Sequence, residues 1–365
     1  MLAALSLVAI VAACSGDDDS ASADETTTSA AESTTTTTRP PPEWVMHEAD
    51  EDCECADGSE YTYFSRTDDP EKVVLYFQGG GACFSAETCS FSDGTYKVTT
   101  GPADDPTGNP GIFDFDNEAN PFAGWSMVFV PYCSGDVHLG DATTEYTDEL
   151  TVEHNGYVNA SQGLDHLVEN FPDATDVFVT GSSAGGVPAP LFGGLVSDEL
   201  PDADVGVLAD ASGGYSSNPT VNGTIGSLWG VEASIPDWEV TEDIDAAAFG
   251  IPDLFHLAGR HDASIRMARY DNAFDEVQRS FVDLAGLEGG TLLDVLDQNE
   301  QLVEGNGVDL STYVAPGENH TILGRDDLYD LTVEGTAFLD WLAELVEGGM
   351  PGDVRCTDCG APAGE

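Results

Sequence analysis

The chain has 365 residues, of which 41% are hydrophobic, so it can bury a large core. Its 10 Lys and Arg against 68 Asp and Glu give a formal net charge of −58. A field of that sign repels nucleic acid, anionic lipid and polyanionic polysaccharide. The composition therefore argues against nucleic-acid binding, and we interpret the scattered acidic residues as a solvated surface.

The N-terminal segment begins with a short apolar run, LAALSLVAIVAAC, which is too short to span a membrane and is typical of a secretory signal. Its last four residues, VAAC, resemble a bacterial lipobox, in which the cysteine, here Cys14, is lipidated; no Lys or Arg precedes the run. Residues 14–43 are rich in Ser, Thr and Asp and too polar to form a core. We expect a lipoprotein signal peptide over residues 1–13, a disordered tether over residues 14–43 and a single domain over residues 44–365. The protein is then exported and held at the membrane only through its lipid.

Strand-like and helix-like segments alternate through the rest of the chain. Apolar, β-branched runs predict strands over residues 73–77, 126–131, 176–180, 205–210, 265–270 and 310–315. Helical periodicity predicts helices over residues 157–170, 184–200, 243–259, 272–287 and 333–346. Strands separated by helical crossovers predict an α/β fold, with a mainly parallel central sheet and helices on both faces.

The cysteines beyond Cys14 are expected to form disulfides, because the protein is expected to be exported. They are Cys53, Cys55, Cys83, Cys89, Cys133, Cys356 and Cys359. The C-x-C pair and the C-x-x-C pair have spacings seen in zinc sites, but they lie at the ends of the domain with no histidine nearby. We favour disulfides that tie down these ends, while Cys83 and Cys89 can close a small loop. The odd count leaves at least one cysteine unpaired or paired elsewhere.

The segment DVFVTGSSAGGVPAP carries the candidate nucleophile. Its apolar first half predicts a strand, and the small residues that follow predict a sharp turn into a helix. The pattern G-x-S-x-G makes Ser183 the nucleophile of an elbow, since small residues two positions away on either side relieve crowding. Ser182 fits less well, because its flanking residues are Thr180 and Ala184. The alternative is an ordinary serine- and glycine-rich turn.

The triple glycine of GGGAC directly follows the strand VVLYFQ. Glycines let backbone N–H groups converge on one point, as an oxyanion hole requires, and an HGGG-type loop does this in hydrolases. The predicted donors are the amides of Gly81, Ala82 and Ala184. The alternative is a flexible turn.

A serine hydrolase of this type needs a histidine late in the chain. His256 lies in an apolar helical stretch and is interpreted as a packed residue, and His261 is interpreted as part of a solvated turn. His320 follows a strand and a Pro-Gly turn in YVAPGENHTIL, where a general base is expected.

The acid has three candidates by position, Asp262, Asp271 and Asp275. Asp271 also suits the cap of the helix that follows it. Chain order alone does not choose among them.

Five ordered motifs, QGGGAC, PYCSGDVHLGD, TGSSAGG, FDEVQ and APGENHTIL, resemble the pectin acetylesterase family over residues 44–359. The resemblance implies an α/β-hydrolase-like fold and ester hydrolysis by a triad of Ser183, His320 and Asp275, the last being the aspartate of the D-x-[VW]-Q motif. Ala82 stands where the family has tryptophan, so it keeps the amide and loses the side chain. That chemistry needs no metal and no organic cofactor.

The same resemblance implies a disulfide between Cys83 and Cys89 behind the glycine loop. It also places Asp136 and His138 beside the site, as substrate contacts or as structural anchors. We expect a monomeric serine carboxylesterase that removes acyl groups, most simply acetyl groups. A neutral acetylated glycan is a better substrate than pectin, because the negative charge repels polygalacturonate. The alternatives are a lipase-like or acyl-protein esterase with a long-chain pocket, and a non-catalytic binding module on a hydrolase scaffold.

Overall fold

A computed structural model describes residues 41–242, 244, 249–284 and 290–360. The predicted signal peptide, the lipidation site at Cys14 and the predicted tether as far as residue 40 lie outside the described residues. From Pro42 onward the chain forms one compact unit. None of the described helices has the length and apolar character needed to cross a membrane.

The domain contains thirteen strands and seven α-helices within the described residues. The strands are β1 (Trp44–Glu48), β2 (Thr62–Arg66), β3 (Asp69–Phe77), β4 (Trp125–Val130), β5 (Ala142–Thr147), β6 (Leu150–His154), β7 (Asp176–Ser182), β8 (Asp204–Asp210), β9 (Arg266–Asn272), β10 (Leu310–Ala315), β11 (Thr332–Val333), β12 (Thr336–Ala337) and β13 (Val354–Arg355). The helices are α1 (Gly156–Asn170), α2 (Ala189–Glu199), α3 (Pro219–Trp229), α4 (Asp253–His261), α5 (Glu276–Leu284), α6 (Leu292–Gly305) and α7 (Phe338–Val346).

A nine-stranded sheet in the order β1-β2-β4-β3-β7-β8-β9-β10-β13 forms the centre of the domain. Within this sheet, β4, β3, β7, β8, β9, β10 and β13 run parallel to one another. At one edge, β2 pairs antiparallel with β4, and β1 pairs antiparallel with β2. Side chains of a strand alternate between the faces of its sheet. In β3, Val73 and Leu75 enter one core with α1, α2 and α4, while Val74 and Tyr76 enter a second core with α7. The predicted α/β fold with helices on both faces is therefore confirmed.

All six predicted strands are present, but four predicted helices begin at the wrong residue. The helix predicted from residue 184 begins at Ala189, directly after Pro188, and the one predicted from residue 243 begins at Asp253, directly after Pro252. Proline fixes its own φ and is favoured at a helix start, so each proline marks the true beginning. The helix predicted from residue 272 begins at Glu276 because β9 runs on through Asn272. The one predicted from residue 333 begins at Phe338, after the short strands β11 and β12.

The structure contains disulfides between Cys55 and Cys133, Cys83 and Cys89, and Cys356 and Cys359. The small loop closed by Cys83 and Cys89 is present as predicted. Cys55 bonds to the distant Cys133 and so ties down the beginning of the domain, as expected, whereas Cys356 and Cys359 bond to each other. Cys53 is free and buried, which agrees with the unpaired cysteine that the odd count allows.

Candidate active site

Ser183 directly follows the C-terminal end of β7 and has a φ of 58°, in the left-handed region. A side chain on Gly181 would overlap the Gly185 carbonyl oxygen, and a side chain on Gly185 would overlap the Phe77 carbonyl oxygen. Glycine is therefore required two positions away on either side of Ser183. This backbone geometry is the one that a nucleophile elbow requires, in which one serine is held in a sparsely populated conformation.

His320 lies in the loop after β10, and its Nδ1 is 2.7 Å from Oδ2 of Asp275. The Asp275 carboxylate is fully buried. Nε2 of His320 is buried and has no hydrogen-bond partner among the described residues. His320 and Ser183 line the same pocket, so this nitrogen is available to a serine hydroxyl.

Asp275 lies at the start of α5 and binds that helix through its other oxygen. Its Oδ1 accepts hydrogen bonds from the backbone amides of Val277 at 2.9 Å and Gln278 at 3.0 Å. These are the second and third residues of the helix, so Asp275 acts as its N-terminal cap. The prediction that Asp271 caps this helix is therefore wrong.

Asp271 lies on β9 and pairs with a buried arginine, Arg269, at 2.7 Å. Burial raises the pKa of the Asp271 carboxyl, and the nearby Arg269 guanidinium opposes that change. The side chain of Gln278 donates to Oδ1 of Asp271 at 2.9 Å and to Oδ2 of Asp275 at 3.1 Å. Of the three candidate acids, the structure therefore joins only Asp275 to His320 within the described residues. Gln278 is the last residue of the motif FDEVQ, but nothing in the sequence indicates that it bridges these two carboxylates.

The glycine loop lies next to Ser183 because β3 pairs in parallel with β7, with Phe77 opposite Gly181. A Cβ on Gly79 would lie 2.9 Å from Cβ of Ser183, which is too close for any side chain. The three predicted oxyanion donors, Gly81, Ala82 and Ala184, line the same pocket as Ser183. The loop is held from behind by the disulfide of Cys83 and by a hydrogen bond from Trp229 Nε1 to the Cys83 carbonyl at 2.8 Å.

Asp136 and His138 are both buried, and neither lines the pocket of Ser183. Asp136 accepts hydrogen bonds from the Ser134 hydroxyl at 2.6 Å and the Gly156 amide at 2.7 Å. The His138 ring is 2.9 Å from the carbonyl oxygen of Gln78, at the start of the glycine loop. Burial lowers the pKa of His138 to about 4, so its ring is neutral at pH 7. Of the two roles left open by the sequence, these contacts fit structural anchors.

The other two late histidines lie outside the pocket lining. His256 is buried on α4 and bonds to Asp253 at 2.9 Å, in keeping with a packed residue. His261 is the last residue of α4, and its ring stacks on Trp238 with a centroid separation of 4.2 Å. It also bonds to Asp198 at 2.7 Å, so the prediction of a merely solvated turn is wrong.

The pocket above Ser183 is mainly apolar and lies between α3 and α5. Its large apolar side chains are Phe84, Leu139, Val221, Ile225, Trp229, Val231, Phe249, Ile251, Val277, Phe281 and Val282. Sequence reasoning missed this lining, because it comes from separate segments and α3 lies in a stretch rich in Gly, Asn and Ser. The available signal was the helical spacing of the apolar residues Val221, Ile225, Leu228 and Trp229 on α3.

Two groups of side chains in the described residues have the spacing of metal ligands. One consists of Cys83, Cys89 and His154, but its two cysteines form a disulfide. The other consists of Glu300, Glu304 and Asp353, of which two are exposed. Neither group lines the pocket of Ser183.

Comparison with known proteins identifies the family. A family model described as Pectinacetylesterase matches residues 34–228, more than half of the chain. Pectin acetylesterase 4 of Arabidopsis thaliana is 30% identical over 148 residues, which cover 40% of this chain and 36% of that protein. Palmitoleoyl-protein carboxylesterase NOTUM of Homo sapiens is 31% identical over 177 residues, 45% of this chain and 34% of that protein. The alignments thus span little more than a third of these relatives.

Proposed function

The chain belongs to the pectinacetylesterase family, and from that premise we propose that it is a serine carboxylesterase acting through an acyl-enzyme. The observation that carries the proposal is the shared pocket of Ser183, His320 and the glycine loop, with His320 bonded to Asp275 at 2.7 Å. A serine hydroxyl is a weak nucleophile until a neighbouring base takes its proton, and the free Nε2 of His320 supplies that base. Asp275 orients the ring and stabilises the imidazolium.

The reaction takes place in two steps of the same kind. In the first, the Ser183 oxygen attacks the ester carbonyl carbon and its proton moves to His320, while the amides of Gly81, Ala82 and Ala184 stabilise the oxyanion. The tetrahedral intermediate collapses, and the departing alcohol takes the proton from His320. In the second step, His320 takes a proton from water as the water attacks the acyl-serine. The proton then returns to the Ser183 oxygen, and the acid is released. The sum is ester plus water giving acid plus alcohol.

The apolar lining of the pocket indicates the length of acyl chain that the pocket accepts. An acetyl group has one methyl to bury, whereas side chains such as Ile225, Trp229 and Phe281 offer a far larger apolar surface. This observation favours the second candidate function, hydrolysis of esters with a longer acyl chain, over the simple deacetylase expected from the sequence. One of the relatives is by its name a palmitoleoyl-protein carboxylesterase.

The proposal is tested with p-nitrophenyl esters from acetate to palmitate on the full chain, beside Ser183→Ala. Ser161→Ala is a matched control, because Ser161 lies on α1 and donates to the Tyr157 carbonyl away from the pocket. We expect activity that Ser183→Ala abolishes and Ser161→Ala keeps, with a maximum at chains longer than acetate. A maximum at acetate would support the deacetylase instead. Turnover unchanged in Ser183→Ala, or absent from the wild type on every ester, would favour the binding module.

The proposed location is the cell surface, with lipid attached at Cys14 after export. The support is the VAAC motif and the Ser- and Thr-rich segment behind it. The mass of the mature N-terminal peptide tests it, and Cys14→Ser should move the protein from the membrane fraction to the soluble fraction.

A further inference from the structure

Asp210 is a fully buried carboxylate at the C-terminal end of β8, beside the strand that ends at Ser182. Its Oδ2 accepts a hydrogen bond from the Ser182 hydroxyl at 2.6 Å and from the Leu323 amide at 3.0 Å. Its Oδ1 accepts from the Ile322 amide at 3.0 Å. The Asp210 side chain therefore joins Ser182, which precedes the proposed nucleophile, to the backbone of Ile322 and Leu323, just after the proposed base His320.

The loop held by Asp210 contains a strained residue. Thr321, directly after His320, has a φ of 64°, in a region that is costly for a β-branched side chain. Such a conformation persists only where the surroundings determine it. The hydrogen bonds of Ile322 and Leu323 to Asp210 lie directly beyond the strained residue, so they oppose its relaxation.

An ionised carboxylate matches this environment, because the donors around it require an oxygen that only accepts. Tyr76 donates to the Ser182 oxygen at 3.0 Å, which directs the Ser182 proton to Asp210. Burial raises the pKa of Asp210 to about 6, and the hydrogen bonds from Ser182, Leu323 and Ile322 act in the opposite direction. An amide at this position would present N–H groups to the N–H groups of the loop.

We propose that Asp210 is a positioning residue, which sets the separation of Ser183 and His320 by binding Ser182 and the backbone of the His320 loop with one carboxylate. The proposal rests on the proposed function, in which these two residues act together. Asp210 itself does not line the pocket, so its effect on the reaction passes through the geometry of the other two.

The test compares Asp210→Asn with Thr180→Val. Thr180 is buried on β7 and donates to the Leu208 carbonyl at 2.6 Å, so its hydrogen bond joins β7 to β8 without touching the His320 loop. In Asp210→Asn we expect kcat to fall by about a hundredfold with KM nearly unchanged, because a small misplacement of catalytic groups can lower the rate by that factor. In Thr180→Val we expect both constants to stay at the wild-type values.

A second readout does not depend on ester turnover. The proton between His320 Nδ1 and Asp275 should give a far-downfield ¹H resonance, assigned by its loss in His320→Gln. We expect it to vanish in Asp210→Asn and to persist in Thr180→Val, even if the wild type hydrolyses no ester and the proposed function fails. A folded Asp210→Asn that keeps the resonance would overturn the positioning role, and so would a wild type that lacks it.

Ser182→Ala covers the case in which Asp210→Asn does not fold. It removes the bond on the nucleophile side and leaves the carboxylate with its loop contacts. We expect a smaller fall in kcat, with KM nearly unchanged, and a weakened downfield resonance. Wild-type values of both kcat and the resonance in Ser182→Ala would then refute the proposal.

Discussion

Asp275 has two tasks, one for each oxygen of its carboxylate. Oδ1 caps α5 through the amides of Val277 and Gln278, and Oδ2 binds His320. An acidic cap is also favoured by the positive end of the helix dipole. The helix start therefore fixes the carboxylate in the rotamer that binds His320. In the proposed mechanism, stability and activity then depend on the same side chain.

Asn and Ala at position 275 should separate these two tasks. Asp275→Asn keeps an oxygen for the cap but places an N–H₂ toward His320 Nδ1, so we expect kcat to fall on the order of ten-thousandfold while the cap is kept. Asp275→Ala loses the cap as well, which costs about 1 kcal/mol in the free energy of unfolding. The measurements are kcat/KM and urea unfolding of each variant.

Thr291→Ala is the matched control for the cap. The Thr291 hydroxyl accepts from the Asp294 amide at 3.3 Å and caps α6, and Thr291 does not line the pocket. We expect a comparable loss of stability at wild-type kcat. Equal stability of Asp275→Ala and Asp275→Asn would contradict the capping role.

At the scale of the elements, the candidate site is built at the carboxyl ends of five adjacent strands, β3, β7, β8, β9 and β10. The glycine loop follows the first and Ser183 the second; Asp275 follows β9, and His320 follows β10. The carboxyl ends of parallel strands meet at one edge of the sheet, which is where sites of open α/β sheets lie. Residues far apart in the chain are thus brought together by the strand order.

The position of the candidate site at the ends of the strands decides which of its residues could be predicted from the sequence. Ser183 and His320 each follow a run of apolar residues that predicts a strand, and the G-x-S-x-G spacing then distinguishes Ser183 from Ser182. Asp210 was missed because it ends the run VGVLAD, whose pattern indicates only a buried strand, and nothing local indicates that Ile322 binds it. Helix α3 was missed because its Gly, Asn and Ser residues have low helix propensity, and Trp229 is the one buried residue of this helix.

The Cys83–Cys89 disulfide belongs to the glycine loop and should matter for catalysis. The Cys83 amide donates to the Gly135 carbonyl at 2.8 Å, and this cysteine directly follows Ala82. In the chain-entropy model, removing the crosslink from so short a loop lowers the free energy of unfolding by about 2 kcal/mol. In the Cys83→Ser, Cys89→Ser double variant we expect a lower Tm and also a lower kcat, because the predicted oxyanion amides lose their support.

The Cys356→Ser, Cys359→Ser double variant is the comparison. That disulfide lies near the C-terminal end of the described chain and outside the pocket lining. We expect its loss to lower Tm and leave kcat unchanged. A fall of kcat in both double variants alike would mean that the glycine-loop disulfide acts only through general stability.

For the whole molecule, the dominant property is the net charge of −58. The 10 Lys and Arg offset little of this field, because they face 68 Asp and Glu. Those that pair with carboxylates within the described residues include Arg66, Lys97, Arg266, Arg269, Arg279, Arg325 and Arg355. The excess of carboxylates therefore sets the sign of the potential that an approaching substrate meets.

This potential should select against anionic esters, and salt should remove the selection. The test uses two p-nitrophenyl esters of equal acyl length, one with a terminal carboxylate and one with a terminal methyl. At low ionic strength we expect kcat/KM to be smaller for the anionic ester than for the neutral ester. As sodium chloride rises from about 0.01 M to 1 M the Debye length falls from about 30 Å to 3 Å, so kcat/KM of the anionic ester should rise while that of the neutral ester stays level. Potassium chloride at equal ionic strength should act alike, because screening depends on ionic strength. An anionic ester whose kcat/KM ignores salt would mean that the pocket itself sets the preference, and the charge argument against pectin would then fail.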